Sequence, residues 1–295
     1  MATIGKRMAV DKETIRCIDE CKEMYLAPDG KEHAVIGLKA VNSVARSRGI
    51  VPSQIEIAAL EQGIIPRRYL RNMGTIGWEG QAKLLRSTVA VVGAGGLGGT
   101  IVELLARHGI GRIIVIDGDR FTEDNLNRQL LSTEENLSEY KAITAAKRVR
   151  EINSSVSVTS YTERLTGENA RELINGAQVV VDGLDNMPSR FAVEEACRDS
   201  GIPFVHGTIA GFSGQLMTIF PQDMGLCSIY GEPHNVPEWG MEVVMGNPSA
   251  TPTLIAAWQV QEVIKIITGI GKPLRNRLLM IDTIEGIAEE IELSN

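Results

Sequence analysis

Apolar positions along the chain change their rhythm once, and the change divides it. Over residues 11–65 they recur at helical spacing. Ile15, Ile18 and Cys21 start the pattern and Tyr25 continues it. Pro28-Asp29-Gly30 is a turn signal, and a second periodic stretch over 34–45 is closed by Gly49. Ser53-Gln54-Ile55-Glu56 has capping-box spacing and opens a third short helix, which Gly63 and Pro66 end. The pattern predicts a helical N-terminal appendage over residues 1–65, followed by a second domain over 66–295.

From Thr88 the rhythm is that of alternating strands and helices. Strand-like runs fall at 88–92, 112–116, 156–161, 178–181, 203–206 and 215–220. Helical stretches stand between several of them, at 97–107, 138–152, 167–174 and 188–200. Thr251-Pro252 reads as a cap followed by a first-turn proline, opening an apolar helix to about Ile267. Residues 278–284 and 287–293 read as a closing antiparallel hairpin. The expected fold is α/β and Rossmann-like, with a mostly parallel sheet, helices on both faces and closing antiparallel strands.

Composition narrows the function. The chain has 295 residues, of which 43% are hydrophobic and 23% charged, an ordinary globular mixture. Its 37 acidic against 30 basic residues give a net charge of −7, and aromatics are 4%. General nucleic-acid binding is therefore not expected. No apolar run is long enough to span a membrane, and Met1–Val10 lacks the apolar core of a signal peptide. Cys17, Cys21, Cys197 and Cys227 are too few and too scattered for a disulfide framework, so a cytoplasmic protein with reduced thiols is expected.

Chemistry enters at Gly93-Ala94-Gly95-Gly96-Leu97-Gly98, which holds G-x-G-x-x-G between a strand and a helix. Glycines let backbone amides approach a phosphate, and the helix start adds partial positive charge. Asp117 stands 19 residues beyond Gly98, about where an acid binds a ribose hydroxyl. This much says only that a nucleotide binds.

The next polar residues separate the candidates. Asp117-Gly118-Asp119 ends the second strand, Asn125, Arg128 and Gln129 follow, and Lys141 lies 13 residues after Arg128. A dehydrogenase has little use for Arg and Lys there, whereas a triphosphate calls for both. Asp185, after the apolar run ending at Val181-Asp182, falls at the carboxyl edge of the sheet. A carboxylate beside phosphates implies an intervening cation, so Asp185 reads as a Mg²⁺ ligand. The alternative is a cap for the helix beginning at Pro188.

Together these motifs resemble the MoeB/ThiF/HesA adenylyltransferases, which share their fold with the ubiquitin-activating enzymes. The resemblance spans about residues 66–294 and rests on motifs in a fixed order. They are Arg68-Tyr69-Leu70-Arg71, the Gly93–Gly98 loop (Gly93, Gly95, Gly96, Gly98), Asp117-x-Asp119, Asn125-x-x-Arg128-Gln129, Lys141 and Asp185-Asn186. It implies ATP held at its ribose by Asp117, phosphates contacted by Asn125, Arg128 and Lys141, and Mg²⁺ on Asp185. It also implies a homodimer in which Arg71 reaches the neighbouring subunit's ATP. The substrate implied is the Gly-Gly carboxylate of a small β-grasp sulfur-carrier protein, which becomes an acyl-adenylate as pyrophosphate leaves.

The chain departs from that family in two places. Relatives with two C-x-x-C pairs bind zinc, but here Leu226-Cys227-Ser228-Ile229-Tyr230 has one cysteine and none follows, so no zinc site is expected. The loop 238–247, where relatives that form thioesters or persulfides place a cysteine, has none. Cys227, Cys197, Cys17 and Cys21 are expected to pack as small apolar groups, and His206 to pack in a loop. Two other functions remain open: adenylation of a small-molecule or peptide carboxylate on the same scaffold, and a non-catalytic scaffold subunit. The appendage selects the carrier, extends the dimer or covers an edge, and its residues do not choose among these.

Overall fold

The computed structural model describes residues 10–28, 30–238 and 240–293. The first nine residues, the middle of the Pro28-Asp29-Gly30 turn, and Trp239 of the 238–247 loop lie outside the described residues, as do 294 and 295. The chain divides into two compact units, Met1–Leu85 and Arg86–Asn295.

The first unit contains α1 (Lys12–Glu20), β1 (Glu23–Leu26), β2 (Glu32–Ile36), α2 (Leu38–Arg48), α3 (Pro52–Glu61), β3 (Ile65–Pro66) and α4 (Gly77–Leu85). It is not the all-helical segment expected from sequence. β1 and β2 form an antiparallel hairpin, and β3 adds to β2 in parallel. Asp11 caps α1 by accepting the Thr14 amide at 2.8 Å. Ser53 caps nothing, because Pro52 already occupies the first turn of α3 and Val51 is its cap. Proline lacks an amide and suits the first helical position, and the helix starts two residues earlier than the capping-box spacing suggests. The core joins Ile18, Ile36, Val41, Val44, Ile55 and Ile64, and Cys17 and Cys21 pack against it.

The second unit opens with β4 (Thr88–Val92), α5 (Gly96–His108), β5 (Arg112–Ile116), α6 (Lys141–Ile152) and β6 (Ser157–Tyr161). It continues through α7 (Ala170–Leu173), β7 (Val179–Asp182), α8 (Met187–Ser200), β8 (Phe204–Ala210) and β9 (Ser213–Ile219). The short α9 (Cys227–Tyr230) and α10 (Glu242–Met245) precede α11 (Ala250–Thr268), β10 (Arg277–Asp282) and β11 (Ile287–Glu292). One eight-stranded sheet runs β11-β10-β9-β8-β7-β4-β5-β6. From β6 to β8 neighbouring strands are parallel, and from β8 to β11 they are antiparallel.

Both faces of β4, β5 and β7 are covered, so these central strands read as apolar runs. Ala90, Val92, Ile114 and Ile116 meet Leu173, Val193, Ala196 and Cys197 in one core. Val89, Val91, Ile113 and Val115, on the alternate positions, are also buried. Thr251 is not the cap of α11, which starts at Ala250; its hydroxyl donates instead to the Gly211 carbonyl at 2.8 Å. Among the described residues no helix is long and apolar enough to cross a membrane.

Strand order reverses beside β4. The chain moves outward through β5 and β6, then returns to β7 on the other side. Open α/β sheets bind ligands in the crevice such a reversal leaves beyond the carboxyl ends of the strands.

Candidate active site

A cleft of about 340 Å³ lies at that reversal. Its walls include Gly93, Gly95, Gly96, Asp117, Asp119, Arg128, Gln129, Lys141, Asp185 and Asn186. The fold thus brings together residues spread over more than ninety positions of sequence.

The glycines divide into two kinds. Gly93 has φ +89°, and a Cβ there would strike the backbone of Gly183. A Cβ on Gly98 would strike the Gly93 carbonyl. These glycines let β4, β7 and the start of α5 touch backbone to backbone, and Gly98 does not line the cleft. Gly95 and Gly96 do line it, and a Cβ at either would meet only side chains at 3.4 Å or more. Gly95 is the cap of α5 and no side chain bonds there. The first amides of α5 therefore need acceptors from elsewhere, which suits phosphate oxygens.

Asp117 ties the glycine loop to β5. One carboxylate oxygen accepts the Ala94 amide at 2.7 Å and the other accepts the Asp119 amide at 2.8 Å. Burial raises its pKa, and the two amide bonds oppose that only in part. Each oxygen keeps a lone pair that a ribose hydroxyl would use.

The basic residues come from an excursion between β5 and α6. Phe121 donates its amide to Glu139, Ser138 donates to Phe121, and Lys141 donates to the Asp119 carbonyl at 3.0 Å. Arg120 lies 3.6 Å from the centre of the Tyr140 ring. These contacts close the excursion and return Lys141 to a point 3.6 Å from the Asp119 carboxylate. Within it, Asn125 is buried and makes the reciprocal cap with Thr122. Its carbonyl accepts the amides of Arg128 and Gln129 at 3.1 and 2.9 Å. Asn125 does not line the cleft; it builds the turn that carries the two residues that do. Arg128 donates to the Asp124 carbonyl and to Asn127.

On the other wall, Asn186 caps α8 by accepting the Ser189 amide at 3.0 Å. The capping role weighed for Asp185 thus belongs to its neighbour. Asp185 is exposed on the wall and accepts one side-chain bond, from Asn186. Single-carboxylate coordination completed by substrate phosphates is the common pattern for Mg²⁺, and this donor set fits it. Among the described residues no cluster of three His, Cys, Asp or Glu side chains is arranged for a metal ion.

Two amide oxygens in the walls, Gln129 Oε1 and Asn247 Oδ1, are buried without a hydrogen-bond partner. They call for a ligand that donates as well as accepts, as an adenosine does. Sequence did not single out Glu163, Arg164, Ser189, Arg190, Thr208 or Asn247, which also line the cleft. Arg164 pairs with Asp119 at 3.8 Å. Its position just beyond the end of β6 was the available signal.

Arg71 is exposed on the 3-10 turn Arg67–Asn72 of the first unit. In the same element Arg68 and Tyr69 both reach the buried Glu56, at 3.4 and 3.3 Å. His206 is not a loop residue. It lies in β8, fully buried, with Nδ1 2.6 Å from Asp182.

Residues 69–295 match the model of the ThiF family. The chain belongs to that family. The SAMP-activating enzyme E1 of Haloferax volcanii is 37% identical over 76% of this chain and 84% of its own length. The sulfur carrier protein adenylyltransferase of Thermus thermophilus is 38% identical over 74% of this chain and 83% of its own. In fold, this ThiF-family chain is similar to Escherichia coli MccB solved with ATP, with a TM-score of 0.67. The match covers 96% of this chain and 87% of that one at 21% identity.

Proposed function

We propose that this chain is an ATP-dependent adenylyltransferase that activates the C-terminal carboxylate of a small ubiquitin-like sulfur-carrier protein. The observation that carries this reading is the cleft itself. It joins a glycine loop to Arg128, Lys141 and Asp185, a set that a dinucleotide site does not need. The two relatives above are by name an activating enzyme for SAMP and an adenylyltransferase for a sulfur carrier protein, and the reading brings their activity here.

Asp117 accepts the ribose hydroxyls, and the amides of the Gly95–Gly96 turn receive phosphate oxygens. Arg128 and Lys141 neutralise charge that builds on the α-phosphate. The Asn125-built turn and the bonds to Asp124 and Asn127 keep Arg128 in place, Gln129 offers its free amide oxygen to the nucleotide, and Asp119 holds Lys141. Asp185 holds Mg²⁺, which supplies neutralisation of the triphosphate. The carrier's carboxylate oxygen forms a bond to the α-phosphorus, and the bond to the bridging oxygen breaks as pyrophosphate leaves. A carboxylate is already ionised near neutral pH, so the step needs no general base and no protein nucleophile. Positioning and charge stabilisation suffice.

The carrier tail ends in Gly-Gly, as the resemblance to the ThiF family implies. The active form is a homodimer in which Arg71, exposed on its turn, serves the partner subunit's ATP. The protein works in the cytoplasm.

The test is pyrophosphate release with ATP, Mg²⁺ and a panel of Gly-Gly-tailed β-grasp proteins, with Arg128→Ala as the blank. Release that depends on one carrier and on its terminal glycine is the expected result. ATP binding without release for any carrier would defeat the carrier assignment and direct attention to small-molecule or peptide carboxylates.

A further inference from the structure

Asp182 ends β7 three residues before Asp185, yet it is fully buried. Its Oδ2 receives the Nε–H of Arg190 at 3.1 Å and the Nδ1–H of His206 at 2.6 Å. Its Oδ1 receives the amide of Leu184 at 2.8 Å. Arg190 also donates Nη2–H to the Leu184 carbonyl at 2.7 Å. One buried ion pair thus grips both backbone polar groups of the residue before Asp185.

Two further side chains hold that pair. Tyr230, from α9, donates its hydroxyl to His206 Nε2 at 3.1 Å. Gln215, from β9, donates to the Tyr230 oxygen at 2.6 Å. With His206 carrying its proton on Nδ1, each of these donors meets an acceptor; this assignment follows from the network. A buried ion pair gains little net stability over apolar packing, so fixed geometry is what this one supplies. The network reaches the cleft at the turn Gly183–Asn186 and at Arg190 itself, and the Gly183–Leu184 backbone of that turn packs against the glycine loop at Gly93 and Gly98.

We propose that His206 and Tyr230 are positioning residues: through Asp182 and Arg190 they fix the Gly183–Asp185 turn and so set where the Asp185 carboxylate stands in the cleft. The catalytic consequence rests on the adenylation reading above. The restraint itself does not. Without His206, Asp182 Oδ2 keeps only Arg190, the carboxylate rotates more freely, and Leu184 loses its fixed partner. A small misplacement of a group that works by position costs rate more than it costs nucleotide affinity.

The experiment uses the full chain with three substitutions. His206→Leu removes both bonds of the imidazole. His206→Asn keeps an N–H close to the place of Nδ1 and can still donate to Asp182. Tyr230→Phe removes the two outer bonds, to His206 and from Gln215, and leaves the bond from His206 to Asp182. Amide hydrogen exchange is read first, with no substrate present. In His206→Leu, peptides covering 183–186 are expected to exchange faster, while those covering 88–92 of β4 stay as in the wild type. Pyrophosphate release is read second, with the carrier that supports the wild type. For His206→Leu, kcat is expected to fall about 10²-fold with little change in the KM for ATP. His206→Asn should recover most of that loss, and Tyr230→Phe should fall between the two.

Unchanged exchange at 183–186 in His206→Leu would overturn the restraint. Faster exchange there with an unchanged kcat would overturn the positioning role. Faster exchange throughout the second unit, with no recovery in His206→Asn, would reduce His206 to packing and overturn the proposal as well. A wild type that releases no pyrophosphate with any carrier would defeat the adenylation reading alone, because the exchange experiment still decides the restraint.

Discussion

The carboxylate of Asp117 accepts the amide hydrogen of Ala94 at 2.7 Å, so the end of β5 holds the glycine loop that follows β4. On the adenylation reading, nucleotide binding and loop shape therefore depend on one acid. Burial raises its pKa, against the pull of the Ala94 and Asp119 amides. Protonation removes the acceptor that ribose hydroxyls need. ATP affinity is expected to weaken as pH falls, and to begin doing so above the ordinary carboxylate range. The same shift has the opposite sign for stability: the folded protein holds this proton more tightly than the unfolded chain, so Asp117 costs stability as pH rises through its folded pKa. Titrating ATP by calorimetry across mildly acidic pH checks the first statement. Asp117→Asn should bind weakly at every pH and lack the inflection.

Gly98 and Gly96 lie in one loop but answer differently to alanine. A Cβ at Gly98 meets the Gly93 carbonyl, which is backbone and cannot step aside. Gly98→Ala is expected to destabilise the second unit by about 1–3 kcal/mol or more, as overpacking does. A Cβ at Gly96 meets Pro252 at 3.4 Å, an ordinary contact. Gly96→Ala should leave the thermal midpoint in place and weaken ATP binding, because the added methyl stands on the cleft wall. Equal loss of stability in both would contradict this division.

The elements that sequence revealed are those whose physics is local. β4 and β5 are buried on both faces, so they show as unbroken apolar runs, and glycine punctuation marks the loop between β4 and α5. The hairpin of β1 and β2 escaped notice because β1 is mostly exposed and Met24 and Leu26 break any alternation. The start of α11 was displaced because the Thr251 hydroxyl serves Gly211, forty residues away in sequence. In the site, the acids and bases of the cleft were legible from their order. The Asp182 network was not, since His206 lies 24 residues from both Asp182 and Tyr230. Nor does sequence tell which of Asp182 and Asp185 turns inward; that choice follows from where Arg190 lands one turn into α8.

Arg128 and Asp185 both line the cleft, and neither is buried in the core. Arg128→Ala and Asp185→Ala should each abolish measurable adenylation. Losing one such charge-stabilising group typically costs about 10²–10³ in rate. Stability should stay within about 0.5 kcal/mol of the wild type, as for surface substitutions away from special features. Thermal unfolding beside a pyrophosphate assay separates the two effects. A variant that loses activity only by unfolding would remove its residue from the catalytic set.

Cys227 stands at the start of α9, half-buried. Burial raises its thiol pKa, and the charges of Glu194 and Glu232 add to the effect. A thiol held protonated is a poor nucleophile. Cys227→Ala is therefore expected to release pyrophosphate at the wild-type rate. Incubating the wild type with ATP and carrier should give no reductant-sensitive adduct on a non-reducing gel. An adduct that disappears in Cys227→Ala would show instead that this cysteine accepts the activated carboxylate.

The buried network also shapes acid stability. Burial lowers the pKa of His206, and although Asp182 pulls the other way, the net shift is downward. Burial alone would raise Asp182, but the Arg190 charge and the His206 hydrogen bond outweigh it and hold the carboxylate below its usual range. The unfolded chain takes up a proton at His206 near pH 6.5 that the folded protein refuses. The stability His206 contributes is therefore complete above about pH 6.5 and is lost as pH falls through the window below. The contribution of Asp182 persists to lower pH, being complete above about 3.9 and lost as pH falls through its depressed folded value. Urea unfolding of the full chain from about pH 7 down to about pH 5 should give midpoints that fall with pH. His206→Asn, which has no imidazole to protonate, should show a flatter decline over that window. Parallel declines in the two proteins would mean that other groups set the acid sensitivity and that His206 accepts its proton in place.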